Sequence, residues 1–167
     1  MIVRPERVGD EAQIGALTAR AFADMPYSDQ TESLIVERLR RAGALTVSLV
    51  AEDDGVIVGH VAFSPVMLSS GQTNWYALGP ISVDPVRQRS GIGSMLIAKG
   101  FARLQELGAA GCILAGDPAY YGRFGFRGVE GLSCDAVPSQ YLLALPLNDE
   151  APSGIVGFHP GFFGDAA

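Results

Sequence analysis

The sequence predicts one α/β domain in which helices flank a mixed, mostly antiparallel and twisted sheet. Apolar residues change from helical spacing to β-branched runs and back, and the turn Asp53-Asp54-Gly55 joins two such runs. The length of 167 residues, with 48% hydrophobic and 18% charged residues, corresponds to about one domain with a sizeable core. We expect residues 1–146 to form this domain and residues 147–167 to form a C-terminal tail, packed on the domain or on a partner subunit.

Local signals divide the chain into elements. Asp10 with Gln13, and Asp29 with Glu32, have the spacing of reciprocal helix caps, and Gly43 stands where a left-handed helix end is expected. The predicted helices cover 10–22, 29–43, 91–107 and 118–124, and the predicted strands cover 2–4, 45–52, 56–68, 75–83, 111–115 and 141–145.

The dipeptide Gly79-Pro80 interrupts the predicted strand over 75–83. Because proline cannot donate to a sheet ladder, this strand should bulge or separate from a neighbour at that point. An opened backbone offers space for a ligand.

Charge and hydropathy exclude several classes of protein. The net charge of −6 argues against broad attachment to nucleic acid or to an anionic membrane. Five charged residues among the first eleven argue against a secretory signal, and no apolar run reaches the roughly 20 residues of a membrane span. We expect a cytoplasmic protein with no nucleic-acid or membrane partner. Cys112 and Cys134 lack metal-ligand spacing, so we expect ordinary buried thiols and no metal.

The segment from Arg87 to Arg103 is the most informative about chemistry, because it has four basic residues and no acidic one. Its glycine turn follows a strand and precedes the longest helix, so free amides and the helix dipole converge on one spot, as in an anion site. Gly91 and Gly93 would admit a pyrophosphate, and the arginines would supply compensating charge. A plain helix start with solvated arginines is the alternative, and the turn alone favours neither.

Spacing separates this turn from two other phosphate-binding turns. A P-loop requires a Gly-Lys pair followed by Ser or Thr, which this chain lacks, so an ATPase or GTPase is excluded. A dinucleotide fingerprint requires Gly or Ala three residues after the second glycine, where this chain has Leu96. The preceding strands also look antiparallel rather than βαβ, so NAD binding is disfavoured.

The turn resembles the signature of the GNAT superfamily of N-acetyltransferases: Gln or Arg, two residues, Gly, one residue, then Gly or Ala, after a strand ending in Val-x-Pro. Here Val83-Asp84-Pro85 precedes Gln88-Arg89-Ser90-Gly91-Ile92-Gly93. The family's later Tyr-x-x-x-Gly-Phe element is present as Tyr121-Gly122-Arg123-Phe124-Gly125-Phe126. The resemblance covers residues 1–146, and the stretch around Tyr121 looks most like the YhbS-like group of bacterial acetyltransferases.

This resemblance implies a donor, a reaction and a set of site residues. Acetyl-CoA would lie where the fourth and fifth strands splay apart, and its acetyl group would pass to an amine acceptor by direct attack, without a metal. Tyr121 would be the general acid that protonates the CoA thiolate. The residues implied to bind acetyl-CoA are Ile81, Ser82 and Val83 in the strand, and Gln88, Arg89, Ser90, Gly91, Ile92, Gly93 and Ser94 in the turn.

Several other polar residues are secondary candidates. Tyr120 is an alternative acid, and Asp117 is interpreted as the cap of the short helix that follows it. Glu32, Glu52 and His60 are discounted as general bases, because exposed carboxylates are usually solvated and a lone histidine in an apolar strand is usually a satisfied core residue. Trp75 and Tyr76 could line the acceptor cleft, but packing in the core or at an interface is the preferred interpretation.

Two alternative functions stay open. The first is a non-catalytic acyl-CoA-binding or regulatory module, and the second is acetylation of a macromolecule, either a protein N-terminus or an aminoacyl-tRNA. The sequence identifies neither the acceptor nor the oligomeric state, with a homodimer kept slightly ahead of a monomer. The tail phenylalanines Phe158, Phe162 and Phe163 could pack on their own domain, complete a partner's cleft or fray.

Overall fold

The computed structural model describes residues 1–164, and the last three residues of the predicted tail lie outside the described residues. The helices are α1 (Glu11–Phe22), α2 (Glu32–Arg41), α3 (Ile92–Glu106) and α4 (Pro118–Tyr121). The strands are β1 (Ile2–Pro5), β2 (Val47–Asp53), β3 (Val56–Pro65), β4 (Met67–Leu68), β5 (Trp75–Val83), β6 (Gly111–Ala115), β7 (Leu132–Ser133), β8 (Leu142–Pro146) and β9 (Gly154–Gly157). The predicted α/β class with mostly antiparallel strand pairing is confirmed.

The chain divides into two compact units, and the boundary falls inside β5. The first unit contains Met1–Ser64, Gly79–Arg103 and the described residues from Pro160 onward. The second contains Pro65–Leu78 and Leu104–His159. Each unit therefore includes one half of β5.

In the first unit, β1, β2 and β3 pair antiparallel in sequence order. The predicted turn joins β2 to β3, and both of its central residues, Asp54 (φ 50°) and Gly55 (φ 78°), are left-handed, as a two-residue type I′ hairpin requires. The C-terminal half of β5 lies beside β3, where the N–H of Asp84 donates to the carbonyl of Val58 at 2.9 Å.

Helices cover both faces of the sheet in this unit. On one face, α1 and α2 form an apolar cluster with the strands that comprises Ile14, Leu17, Val36, Val50 and Ile57. On the other face, α3 approaches β3 so closely that a Cβ on Gly59 would lie 2.8 Å from Cγ2 of Ile92. The first turn of α3 is thus set so close to the sheet that a side chain at position 59 would require Ile92 to shift.

The two predicted reciprocal caps are wrong. Asp10 precedes α1, but its carboxylate pairs with Arg4 and makes no cap hydrogen bond. The side chain of Gln13 instead accepts from the backbone N–H of Ile57 at 3.1 Å, and the residue before α2 likewise makes no side-chain cap. A distant partner thus replaces the local one for Gln13, whereas Asp29 accepts from Thr31, two residues away. Gly43 does have the expected left-handed conformation, with φ of 70°.

In the second unit, the N-terminal half of β5 pairs parallel with β6, and β6 pairs antiparallel with β8. Among the described residues, the β5–β6 ladder covers Trp75–Ala77 and ends two residues before the Gly79-Pro80 peptide, which is cis. The predicted interruption of strand pairing near this dipeptide is confirmed.

A second, three-stranded sheet departs from the sequence prediction. The run expected as one strand over 56–68 is two strands, and β4 pairs with β9, which also pairs with β7. The sequence predicts neither β7 nor β9, because β4 and β7 have two residues each and β9 lies in the Gly- and Pro-rich tail.

A later part of the tail contacts α2 within the first unit. Phe162 packs against a buried cluster of Ile35, Leu39 and Ala44. The guanidinium of Arg38 donates to the carbonyl of Gly161 at 3.2 Å.

Candidate active site

The turn after β5 has the backbone geometry of an anion site. Arg89 (φ 66°) and Gly91 (φ 87°) are both left-handed, and such alternation of backbone conformation turns successive N–H groups toward one side. The first helical hydrogen bond of α3 runs from Met95 N to Gly91 O at 3.0 Å. The amides of the three intervening residues, Ile92, Gly93 and Ser94, therefore have no acceptor within the helix.

Side chains tie this turn to neighbouring elements of the first unit. The turn begins with Asp84, whose carboxylate accepts from Val86 N at 3.2 Å and from Arg20 at 3.3 Å. Within the turn, the Gln88 amide donates to the carbonyl of Val83 at 3.3 Å. The loop is thus held in place before any ligand binds.

Arg87 does not act as a free cation, contrary to the expectation that the arginines of the turn supply compensating charge. Its guanidinium lies 2.5 Å from Oδ2 of Asp53 at the end of β2, and it holds the pKa of that carboxyl below its usual value. The backbone carbonyl of Arg87 also accepts from the Ser90 hydroxyl. Arg89, by contrast, is exposed and forms no ion pair within the described residues, so the available charge in the turn is that of Arg89.

Asp53, Asp84 and Arg20 are the residues that sequence reasoning missed. Asp53 lies 34 positions from Arg87, and Arg20 lies 64 positions from Asp84, so no local pattern marks these pairs. The hairpin turn next to Asp53 is predictable from the sequence, whereas the pairing of Asp53 with Arg87 is not.

The predicted cofactor-binding strand residues differ in burial. The side chain of Ser82 is almost fully buried, with 2% exposed, whereas Ile81 and Val83 are half-buried. The hydroxyl of Ser82 has no hydrogen-bond partner among the described residues.

Tyr121 is the last residue of α4, in the second unit. Asp117 caps this helix as predicted, accepting from Ala119 N at 2.9 Å. The Tyr121 ring packs edge-on against Tyr120, with 4.8 Å between centroids. A Cβ on Gly116 would lie 2.6 Å from Cε2 of Tyr121, so any other residue at this position would displace the ring. Tyr121 is half-buried.

The secondary candidates have other partners. The Glu32 carboxylate accepts from Ser28 at 2.6 Å, and Glu52 pairs with Arg4 at 2.9 Å. Trp75 is a core residue, with 1% exposed, as interpreted from the sequence. Cys112 is buried, and burial raises the pKa of its thiol to about 12.

Cys134 is only half-buried, so the expectation of two buried thiols holds for one of them. Across residues 1–164 there is no cluster of three or more His, Cys, Asp or Glu side chains suited to a metal ion. No helix within that range has the length and apolar character to cross a membrane.

The fold and the turn together define the class of this protein. The family model described as "Acetyltransferase (GNAT) family" matches residues 15–126, which is more than half of the chain. The chain belongs to the GNAT acetyltransferase family.

Individual relatives agree with this assignment. The chain is 39% identical to the uncharacterized N-acetyltransferase YhbS of Escherichia coli K12 over 128 residues, which are 76% of this chain and 74% of that protein. A GNAT family acetyltransferase from Brucella melitensis, solved with acetyl-CoA, is 45% identical with a TM-score of 0.86, over 96% of this chain and 97% of that one. YhbS from Escherichia coli, solved with CoA, is 32% identical with a TM-score of 0.89, over 99% of this chain and 93% of that one.

Proposed function

We propose that this protein is an N-acetyltransferase that moves the acetyl group of acetyl-CoA to an amine acceptor by direct attack. The observation that carries the proposal is the row of amides at Ile92, Gly93 and Ser94 that have no acceptor within α3, next to the exposed Arg89. Such a combination suits a pyrophosphate. Support also comes from the relatives solved with acetyl-CoA or CoA.

In this proposal the donor is held mainly by backbone groups. Residues of β5 from Ile81 through Ser82 to Val83 pair with the pantetheine arm, and amides from Arg89 to Ser94 hold the pyrophosphate, with Gln88 opening the loop. An amide of β5 near Ile81 or Val83 stabilises the thioester oxyanion as the amine attacks, which is usually the largest contribution to acyl transfer.

Tyr121 supplies the proton for the leaving group. The N–C bond forms, the C–S bond breaks, and the CoA thiolate takes the phenolic proton of Tyr121. The attacking nitrogen loses a proton as it becomes the amide, and this proton restores the phenol. The T-shaped contact with Tyr120 and the close approach to Gly116 restrict the orientation of this phenol.

The fold does not identify the amine that accepts the acetyl group. We propose that residues 24–43 and the chain after Leu147 select it, within an acetyltransferase domain that spans residues 1–146. Acetylation of a macromolecule is the alternative, and the net charge of −6 argues against tRNA.

The first experiment is thermal unfolding with acetyl-CoA, CoA, ATP and NAD in parallel. A ligand at about one hundred times its dissociation constant adds roughly 2.7 kcal/mol to the free energy of unfolding. We expect the midpoint to rise with acetyl-CoA and CoA and not with ATP or NAD. No shift with any of the four, in protein first shown to be free of ligand, would refute the proposal.

Turnover separates the enzyme from a binding module. Release of CoA is measured against a panel of primary amines for the wild type, Tyr121→Phe and Tyr120→Phe. We expect Tyr121→Phe to lower kcat about a hundredfold or more, since general acid catalysis contributes on this scale, and Tyr120→Phe to stay near the wild type. CoA binding without turnover on any amine would favour the non-catalytic module.

A further inference from the structure

An arginine and two aromatic rings pack together at the end of α4 in the second unit. We call Tyr120, Arg123 and Phe124 the arginine–aromatic cluster. The guanidinium carbon of Arg123 lies over the Tyr120 ring, 4.2 Å from its centroid, and 5.3 Å from the centroid of Phe124. The two rings also contact each other, with 5.6 Å between centroids. Because a cation is attracted to the face of an aromatic ring, these contacts hold the head group of Arg123 in place.

The guanidinium of Arg123 nevertheless keeps its hydrogen-bonding capacity. Arg123 is exposed, and its guanidinium forms no hydrogen bond or ion pair with any of residues 1–164. A guanidinium has five N–H donors in its plane, so contact through its face leaves the donors at its edge free. Arg123 is therefore a cation that is held in a fixed position and is still open to a ligand.

The other arginine of this segment is already engaged. Arg127 donates from Nη1 to the carbonyls of Gly122 at 3.1 Å and Phe126 at 3.0 Å, which are backbone groups of its own loop. Residues 118–129 contain Arg123 and Arg127 and no acidic residue, although the whole chain has a net charge of −6. The local charge therefore favours an anionic ligand, and Arg123 is the residue with donors to offer it.

The arginine–aromatic cluster lies beside the residue that we propose as the general acid. The Tyr121 ring packs against the Tyr120 ring at 4.8 Å between centroids, and Arg123 lies 4.2 Å from that same Tyr120 ring. The guanidinium carbon is therefore no more than about 9 Å from the centre of the Tyr121 ring. An anion bound to Arg123 is close to the atoms that react.

This distance favours an anion of the acceptor over an anion of the donor. In the proposed reaction the phenol of Tyr121 contacts the sulfur of CoA, and the whole pantetheine arm separates that sulfur from the nearest phosphate. The nitrogen of the acceptor, by contrast, attacks the carbon that is bonded to the sulfur. An anionic group a few bonds from this nitrogen is thus within reach of Arg123.

We propose that Arg123 binds a carboxylate of the acceptor, so that the preferred substrates are small amines that carry a carboxylate, such as amino acids. The inference rests on the proposed function and adds a substrate class to it. The edge of a guanidinium matches a carboxylate in shape, and two parallel N–H···O bonds fix the direction of the bound molecule as well as its position. Tyr120 is a positioning residue, because it acts through Arg123.

The test measures kcat/KM for two matched series of primary amines. One series is the ω-amino acids from glycine to the six-carbon compound, and the other is the n-alkylamines with the same carbon chains and no carboxylate. We expect the wild type to prefer the amino acid at least tenfold at the best chain length, because hydrogen bonds to a charged group contribute on this scale. The best chain length reports how far Arg123 lies from the reacting carbon.

Arg123→Met removes the charge and keeps a side chain that can still cover the Tyr120 ring. We expect kcat/KM for the preferred amino acid to fall at least tenfold and kcat/KM for the matched alkylamine to change less than twofold. The KM for acetyl-CoA should not move. Each variant is compared with the wild type on the same amine, so differences in amine basicity cancel.

Further variants separate the role of Tyr120 from that of the charge, and thermal unfolding checks that each variant folds. Tyr120→Leu removes the ring and should lower the preference for the amino acid, whereas Tyr120→Phe keeps the ring and the preference. Arg123→Lys keeps the charge without the planar edge and should retain part of the preference. Arg7→Met removes an exposed arginine of the first unit and should behave as the wild type.

Three results would overturn this assignment. The first is a wild type that does not prefer amino acids over the matched alkylamines, and the second is a preference that Arg123→Met leaves unchanged. The third is a raised KM for acetyl-CoA in Arg123→Met with both series, which would assign Arg123 to a phosphate of the donor. A wild type that binds acetyl-CoA but acetylates no amine of either series would instead refute the proposed function, and this inference with it.

Discussion

Arg87 contacts Asp53 at 2.5 Å, so the loop between β5 and α3 is anchored to the hairpin that joins β2 and β3. A loop that is ordered before binding loses less conformational entropy when its ligand arrives. We therefore expect the Asp53–Arg87 pair to affect donor affinity without touching the donor.

Asp53→Asn should weaken CoA binding several-fold, because the loop must then be ordered at the expense of binding free energy. Arg87→Met should have the same effect, and the double variant should be no weaker than either single variant. Isothermal titration with CoA measures all three. Asp135→Asn makes the same charge change at an exposed site in the second unit and serves as the control. Tighter CoA binding by Asp53→Asn would mean that Arg87 is itself a phosphate ligand.

The burial of His60 predicts a pH dependence of stability. Its pKa is near 6.5 in the unfolded chain and about 4 in the folded protein, so the unfolded state binds the extra proton as the pH falls. This contribution to the free energy of unfolding is complete above pH 6.5 and is lost as the pH falls toward 4, by about 3 kcal/mol in total. Urea unfolding at a series of pH values measures it. His60→Gln should show a flatter dependence in that window, and an equally steep one would contradict the assignment.

Replacing either of two helical glycines by alanine should change the free energy of unfolding, in opposite directions at the two positions. A Cβ on Gly100 would lie 2.5 Å from Cζ of Phe63, which has 0% exposed, so Gly100→Ala should destabilise the protein by about 1–3 kcal/mol. Outside the helix's own backbone, no atom of the described residues lies within 4 Å of the corresponding position at Gly15, so Gly15→Ala should stabilise by about 0.5–1 kcal/mol through helix propensity. Chemical denaturation compares them, and the same sign for both would contradict the packing described for α3.

The tail contact with α2 should contribute measurably to stability. Phe162→Ala should lower the free energy of unfolding by about 1–2 kcal/mol, since the ring is half-buried against Ile35 and Leu39. The neighbouring Phe163 is 62% exposed, and Phe163→Ala should change the free energy of unfolding by less than about 0.5 kcal/mol. Equal effects of the two substitutions would show that the ring contact is not what stabilises this segment.

Local sequence signals predicted the features that depend on a few neighbouring residues. The Asp53-Asp54-Gly55 turn needs only two left-handed residues, and the Asp117 cap needs only an amide two positions away. The end of the β5–β6 ladder near Gly79-Pro80 follows from the missing N–H of proline.

Signals failed where the partner is distant in sequence. Gln13 accepts from a backbone N–H 44 residues away, so the reciprocal cap expected with Asp10 does not form. Ser48 bonds to Glu6 across 42 positions, which leaves no pattern in the chain. The small sheet of β4, β9 and β7 was missed because its strands are too short for their alternation to be visible.

The contact between Arg38 and Gly161 joins residues that are 123 positions apart. At a synthesis rate of about 5–20 residues per second, α2 is synthesised roughly 6 to 25 seconds before this part of its docking surface. During that interval the apolar side of α2 around Ile35 and Leu39 lacks the cover of Phe162.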